Sequence, residues 1–368
     1  MARDEYARFD RPSKHGSRAR TKQRPEHADA LAGFVTGVDR GRYTLLLAEG
    51  TADERVVLAM KARELARTRV VVGDRVDVVG DTTGGKDSLA RIVRIAERTS
   101  VLRRTADDTD PYERIVVANA DQLVIVTALA QPEPRTGMID RAAVAAYDAG
   151  MDVLLCLTKA DLASADELRG LYEPLGVQVV VTWPAAGADA ARVDAADAAG
   201  ARPTGRTLDP ASVEDVRDHL RGRVSVLLGH SGVGKSTLVN ALVPGARRVT
   251  GHVNDVTGRG RHTSTSAVAL RLPRPDGTGG EGWVVDTPGV RSLGLAHVQV
   301  EHVLAAFEDL DEAATDCPRG CTHLADAPDC ALDEWIAASP DDETRATREA
   351  RLASFRRVLA SRTASVGA

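Results

Sequence analysis

Residues 223–240 read RVSVLLGHSGVGKSTLVN, and the fold follows from how that stretch divides. Val224 to Leu228 is an unbroken apolar run, the mark of a strand covered on both faces. Gly229-His230-Ser231-Gly232-Val233-Gly234-Lys235-Ser236 fits the phosphate-binding loop G-x-x-x-x-G-K-[ST], with Thr237 continuing it and a helix expected to open at Lys235. The chemistry demands these residue types. Glycines let successive N–H groups turn inward as an anion nest, which a Cβ would obstruct. The helix N-terminus adds unpaired N–H groups and partial positive charge beneath the phosphates. Lys235 is expected to reach the β- and γ-phosphates, and Ser236 to ligate Mg²⁺. A nucleoside triphosphate is the implied ligand; its base must be read elsewhere.

The chain has 368 residues, enough for two or three domains, with 43% apolar and 27% charged residues, as soluble proteins have. Its first residues are charged and polar, unlike a secretory signal. Apolar runs such as 122–130 and 153–157 are too short to span a bilayer, so a cytoplasmic protein with no membrane partner is expected. The net charge of −5 does not exclude a polyanionic partner, because the charges are segregated. Six Lys/Arg and His15 lie between Arg11 and Arg24 with no acid among them. Six arginines (345, 348, 351, 356, 357 and 362) recur over 344–362. Arginine is strongly preferred, yet two of the six lysines are Lys159 and Lys235. A compact ammonium on a slim stem is not replaced by a guanidinium fork at such places.

Residues 1–30 lack apolar periodicity and read as a disordered basic arm. Short β-rich runs at 33–38, 43–48, 55–60, 70–79 and 88–95 suit a small OB-type β-barrel over 31–105, although SH3-like barrels give a similar pattern. Its few aromatics, chiefly Phe34 and Tyr43, argue for backbone and groove contacts with nucleic acid rather than base stacking. Strands at 121–129, 153–157 and 177–182 alternate with helices at 138–149 and 212–221, which implies a mostly parallel α/β sheet over 106–296. Ser164 and Glu167 suggest a capping box, and 185–210 an irregular surface insertion. The polar, glycine-rich run 251–266 (GHVNDVTGRGRHTSTS) reads as a mobile segment, followed by a hairpin of 267–272 and 283–285.

Asp286, 51 positions after Lys235 at the end of an apolar strand, stands where a Mg²⁺-orienting carboxylate belongs, and Gly289 can bring its N–H to a γ-phosphate. Thr158-Lys159-Ala160-Asp161 resembles the guanine-reading [NT]-K-x-D motif: a carboxylate accepts both N1–H and N2–H of guanine, and the lysine stem covers the base. Thr158 stands where Asn is usual; one hydroxyl does not mimic an amide, so a modest loss of guanine affinity is expected. The base reader here precedes the phosphate loop, the reverse of the ordinary order, and a cyclically permuted chain can assemble the same pocket. Cys317, Cys321, His323 and Cys330 put three thiolates and an imidazole within 14 residues, a set that suits a closed tetrahedral Zn²⁺ site; Cys156, in an apolar strand, reads as core packing.

On these motifs, together with residues 258–263 (GRGRHT), the chain resembles the circularly permuted GTPases, specifically the ribosome small-subunit-dependent GTPase family called RsgA or YjeQ. The resemblance covers roughly residues 31–335 and implies a β-barrel, a permuted GTPase domain and a helical zinc-binding domain over 297–368. It implies GTP or GDP with Mg²⁺ and one structural Zn²⁺ as cofactors. The implied partners are the 30S ribosomal subunit and its rRNA, with hydrolysis stimulated by that subunit and release of a monomeric factor afterwards. Val290 stands where Ras-like enzymes carry a water-orienting glutamine, so His262 is the internal candidate for that task. Thr263 and Thr265 compete for the switch contact to Mg²⁺, and Arg259 and Arg261 suit nucleotide phosphate or rRNA. His230 reads as an exposed loop filler. Two other classes fit the same motifs: a different enzyme (a large-subunit permuted GTPase or a P-loop ATPase), or an RNA-binding assembly scaffold whose nucleotide is structural.

Overall fold

The structure, a computed structural model, describes residues 27–65, 68–85, 87–104, 114–186, 207–244, 267–276, 279–287, 295 and 298–361. The expected basic arm up to residue 26, most of the 185–210 insertion and the whole 251–266 segment lie outside them.

The first five strands close into a barrel around a core of their inward-facing apolar residues. They are β1 (Leu31–Asp39), β2 (Arg42–Leu47), β3 (Arg55–Lys61), β4 (Arg75–Gly80) and β5 (Ala90–Ile95), hydrogen-bonded in the order β1-β2-β3-β5-β4 with β4 returning to β1. Val35, Leu45, Leu47, Val57, Val76, Val78 and Ile92 fill its interior. The fourth strand starts five residues later than the run 70–79 suggested. Gly73 turns the chain with φ of +90°, tight against the Ala118 carbonyl where a Cβ would collide. The fully buried Asp74 then ties that turn down, accepting from Val71 N–H at 2.8 Å and from the Arg98 guanidinium at 2.7 Å. A two-stranded ribbon that the sequence reading did not foresee follows, with β6 (Val101–Arg104) antiparallel to β7 (Arg114–Ala118), one strand on each side of the expected boundary at residue 105.

The second layer runs β8 (Gln122–Ala128), α1 (Thr136–Asp148), β9 (Asp152–Thr158), α2 (Asp166–Tyr172), β10 (Gln178–Val181), α3 (Pro210–Leu220), β11 (Val224–Leu228), α4 (Lys235–Leu242), β12 (Val268–Pro273) and β13 (Gly280–Asp286). Strands β10-β9-β8-β11-β13 are parallel and β12 pairs antiparallel with β13. Every residue of β8 is buried, and its parity sorts the two faces. Leu123 and Ile125 meet Ile139, Ala142 and Ala143 of α1, whereas Val124 and Val126 share a core with Val216 and Leu220 of α3 and Leu238 and Leu242 of α4. Cys156 sits in that second core, fully buried, its thiol pushed up to about 12 by burial, as inert packing requires. The capping box does not form: the Ser164 hydroxyl donates to the Asp166 carboxylate at 2.6 Å and accepts Asp166 N–H, so Glu167 takes no part.

Among the described residues four α-helices follow: α5 (Val300–Leu304), α6 (Glu308–Ala313), α7 (Ala331–Ala337) and α8 (Asp342–Ala360). Phe355, Val358 and Leu359 of α8 join the same core as α1. The arginines of α8, part of the segregated positive charge that left room for a polyanionic partner, are mostly tied to the protein itself. Arg351 pairs with Asp309 and donates to Pro174 O at 2.9 Å, Arg356 forks onto Asp333, and Arg348 stacks over Trp335. Arg357 is bound to the buried Asp140 of α1, lies over the Tyr172 ring and donates to Leu171 O at 2.9 Å. No helix among the described residues is long and apolar enough to cross a membrane.

Candidate functional site

Parallel strands deliver their carboxyl ends to one edge of a sheet, and ligands bind in the crevice beyond that edge. Here β9 ends in Thr158, β11 in the glycine loop and β13 in Asp286, with Ala128 opposite Thr158 and Leu227 opposite Asp286. The two motifs that are inverted in sequence therefore arrive side by side.

The loop is shaped by close backbone approach. A Cβ on Gly229 would sit 2.6 Å from the Val126 carbonyl, so only glycine lets β11 pass β8 there. Gly232 and Gly234 hold left-handed φ values of +88° and +93°, and Gly234 is the cap from which α4 starts at Lys235. Val233 is fully buried, Ser231 and Ser236 are exposed, and Thr237 is half-buried. The Lys235 ammonium donates to Asp286 Oδ1 and, at 2.8 Å, to Thr287 O. Thr287 is anchored in turn, its hydroxyl donating to Leu227 O at 2.7 Å. The phosphate-loop lysine and the strand-end carboxylate thus share one spot, as a magnesium–phosphate site needs.

Thr158 connects the glycine loop to the Thr158–Asp161 segment. Its hydroxyl donates to the Val233 carbonyl at 2.6 Å, across 75 positions, and the residue is 3% exposed. Lys159 takes a φ of +60° and its ammonium donates to Gln131 O. Ala160 N–H donates to Thr182 O at 3.3 Å, which brings the strand end of β10 beside the motif, and Asp161 is exposed. His230 departs from the exposed filler expected of it: it is half-buried, and Nε2 has no exposed surface and no partner among the described residues. Gly289, His262, Thr263, Thr265, Val290, Arg259 and Arg261 lie outside the described residues. Sequence reasoning missed the Thr287 carbonyl and the Thr158–Val233 bond; a backbone acceptor has no residue identity to read.

Cys317, Cys321, His323 and Cys330 converge with their ligand atoms all within 4.8 Å of one another. Cys317 Sγ lies 3.6 Å from His323 Nδ1 and 4.0 Å from Cys330 Sγ, and Cys330 Sγ lies 3.9 Å from the same nitrogen. Zn–S and Zn–N bonds of about 2.3 and 2.0–2.1 Å at tetrahedral angles put ligand atoms about 3.5–3.8 Å apart, close to this spacing. Backbone N–H groups point at the sulfurs, Ala331 to Cys317 at 3.2 Å and His323 to Cys321 at 3.4 Å. Burial, with the neighbouring Cys330 and Cys321, pushes the Cys317 thiol up to about 11, a crowding that a cation among them would reverse. Burial also lowers His323, favouring the neutral ring that ligates metal. The residues fit zinc.

Comparison with known proteins returns one family repeatedly. The family described as RsgA GTPase matches residues 95–199 and 191–296. The small ribosomal subunit biogenesis GTPase RsgA of Pseudomonas aeruginosa (strain LESB58) is 35% identical over 288 residues, 77% of this chain and 75% of that protein. The protein of the same name from Azotobacter vinelandii is 36% identical over 293 residues, 79% of this chain and 75% of that one. Among solved structures, YjeQ from Thermotoga maritima superimposes with a TM-score of 0.54 at 24% identity, covering 90% of this chain and 99% of that one. YloQ, a circularly permuted GTPase, gives a TM-score of 0.58 at 23% identity, with 92% and 98% covered.

Proposed function

The chain belongs to the RsgA GTPase family, and from that premise we propose that it hydrolyses GTP during late maturation of the small ribosomal subunit, which stimulates the reaction and from which it departs afterwards. The observation that carries the nucleotide reading is the 2.6 Å bond from Thr158 to Val233, which joins the Thr158–Asp161 segment to the phosphate loop. In this reading residues 229–237 cradle the phosphates, Lys235 neutralises the β- and γ-oxygens, and Asp161 accepts the two guanine N–H groups while Lys159 and Ala160 flank the base. Gly289 offers its N–H to the γ-phosphate. Mg²⁺, when held by Ser236, Asp286 and Thr263 or Thr265, offsets charge that develops on the transferred phosphoryl group. His262 orients the attacking water, since the valine at 290 has no polar atom to do so.

The finer architecture belongs to the same reading. The pairing order β1-β2-β3-β5-β4 supports an OB-type barrel over 31–105. A permuted GTPase domain fills 106–296, and a helical domain over 297–368 is held by Zn²⁺ on Cys317, Cys321, His323 and Cys330. The protein works in the cytoplasm as a monomer, and basic segments outside the internally paired arginines of α8 supply phosphate contacts to rRNA.

Asp161→Asn tests the base reader. Xanthine carries an oxygen where guanine carries the 2-amino group, so an amide at 161 should move preference from GTP to XTP by at least about tenfold, the factor that one bidentate recognition is worth. Equal affinity for GTP and ATP in the unaltered protein, or no change of preference in the variant, would remove Asp161 from the site.

A further inference from the structure

The β2–β3 turn of the barrel sends two carboxylates to one point on the nucleotide-binding sheet. Glu49 Oε1 accepts from Trp283 Nε1–H at 2.8 Å, and Glu54 pairs with the Arg271 guanidinium. Arg271 and Trp283 are directly opposite each other on β12 and β13. The indole, 8% exposed, also packs on Phe34 of β1 with ring centroids 4.8 Å apart. A second row runs parallel to this one. Gly37 of β1 faces Val268 of β12, which faces Asp286 of β13, which faces Leu227 of β11 just before the phosphate loop. The hairpin that ends in Asp286 is therefore held between the barrel on one side and β11 on the other.

We propose that Trp283 and Arg271 are positioning residues for the nucleotide site, clamping the β12–β13 hairpin to the barrel so that the placement of Asp286 and the seating of the barrel are coupled. This rests on the reading of Lys235 and Asp286 as the phosphate and Mg²⁺ end of the cleft. Trp283 is three residues before Asp286 on the same strand, so a change in what Asp286 holds reaches the indole through a stretch of backbone with hydrogen-bonded strands on both sides. Lys235 now occupies Asp286 and the Thr287 carbonyl; a Mg²⁺-bound triphosphate claims both the lysine and the carboxylate, whereas a diphosphate lacks the terminal group. Coupling is reciprocal by linkage: if the bound nucleotide alters the clamp, then loosening the clamp must alter relative affinity for the two nucleotides by the same factor.

The chain has three tryptophans, Trp183, Trp283 and Trp335, so a Trp183→Phe/Trp335→Phe background isolates the clamp indole. Its emission is recorded with Mg²⁺ and GDP, and with Mg²⁺ and a non-hydrolysable GTP analogue, while binding is measured separately by equilibrium dialysis. The expected result is a different Trp283 spectrum in the two complexes. In the unaltered background, Glu49→Ala should change the ratio of analogue to GDP affinity about threefold or more, and Glu49→Gln, whose amide oxygen still accepts the indole N–H, should restore it. Both nucleotides binding with identical Trp283 spectra, and an unchanged ratio in Glu49→Ala, would overturn the clamp and leave the site standing. No binding of either nucleotide to the unaltered protein would overturn both.

Discussion

Thr158 stands where an asparagine is usual, and its single O–H goes to Val233 O at 2.6 Å, with Thr127 O farther away at 3.3 Å. The hydroxyl thus ties the Thr158–Asp161 segment to the glycine loop, so the modest affinity loss expected from Thr158 has a structural counterweight. Thr158→Val keeps the shape and removes the donor, leaving a buried carbonyl unpaired at a cost of about 1–2 kcal/mol. GDP affinity should fall roughly tenfold by that account, with the melting curve otherwise cooperative; an unchanged dissociation constant in titration would show the bond to be irrelevant to the site. Residues of this kind were half legible beforehand. Glycines 229, 232 and 234 announce themselves because backbone strain and close approach restrict those positions to glycine. The partner of Thr158 could not be read, because it is a main-chain oxygen 75 positions away.

At the scale of elements, α8 shows how composition misleads. Its arginines read as a basic face, yet acids from Asp140, Asp309 and Asp333 come to meet them from distant parts of the chain. Asp140 is 4% exposed, and the Tyr172 hydroxyl donates to it at 2.7 Å. Asp140→Ala strands the Arg357 charge and should destabilise the protein by about 2 kcal/mol or more, whereas Asp140→Ala with Arg357→Met should recover much of that loss. Urea titrations of the two variants decide it; equal losses would mean that the pair contributes nothing beyond its packing. The Glu54–Arg271 pair joins barrel to hairpin in a more exposed setting. The Arg271 hydrogen bond, then the Gly50 N–H, hold the Glu54 carboxyl below its ordinary 4.5. A carboxylate depressed in the folded state adds stability that is complete above pH 4.5 and vanishes as pH falls through the lower folded value. The stability gap between the unaltered protein and Glu54→Gln should be at most about 1 kcal/mol near neutrality and close in acid. A gap that persists unchanged below pH 4 would exclude the ion pair as its source. The ribbon of β6 and β7 and the late start of β4 escaped prediction for a common reason. Both depend on a tight contact between Gly73 and Ala118, and neither residue signals the other in sequence.

Over the whole molecule, the features that could be read early are those with short-range signatures: a glycine-rich turn between a buried strand and a helix, and a cluster of three cysteines and a histidine within 14 residues. The permuted order was also legible, because strand-end motifs name the sheet edge they share whatever their order along the chain. What could not be read is how the parts are joined, since Glu49 and Trp283 are 234 positions apart and ordinary residues in isolation. The barrel and the α8 end both pack onto the sheet that carries the glycine loop, and the proposed function makes hydrolysis there depend on what those outer parts touch. Multiple-turnover GTP hydrolysis by the purified protein, with and without purified small ribosomal subunits, addresses this directly. The account predicts slow turnover by the protein alone and a rise of at least about tenfold when small subunits, but not large ones, are added, as a partner-supplied stabilisation of the transition state by about 1.4 kcal/mol or more requires. Absence of turnover in every condition, or equal stimulation by large subunits, would contradict it.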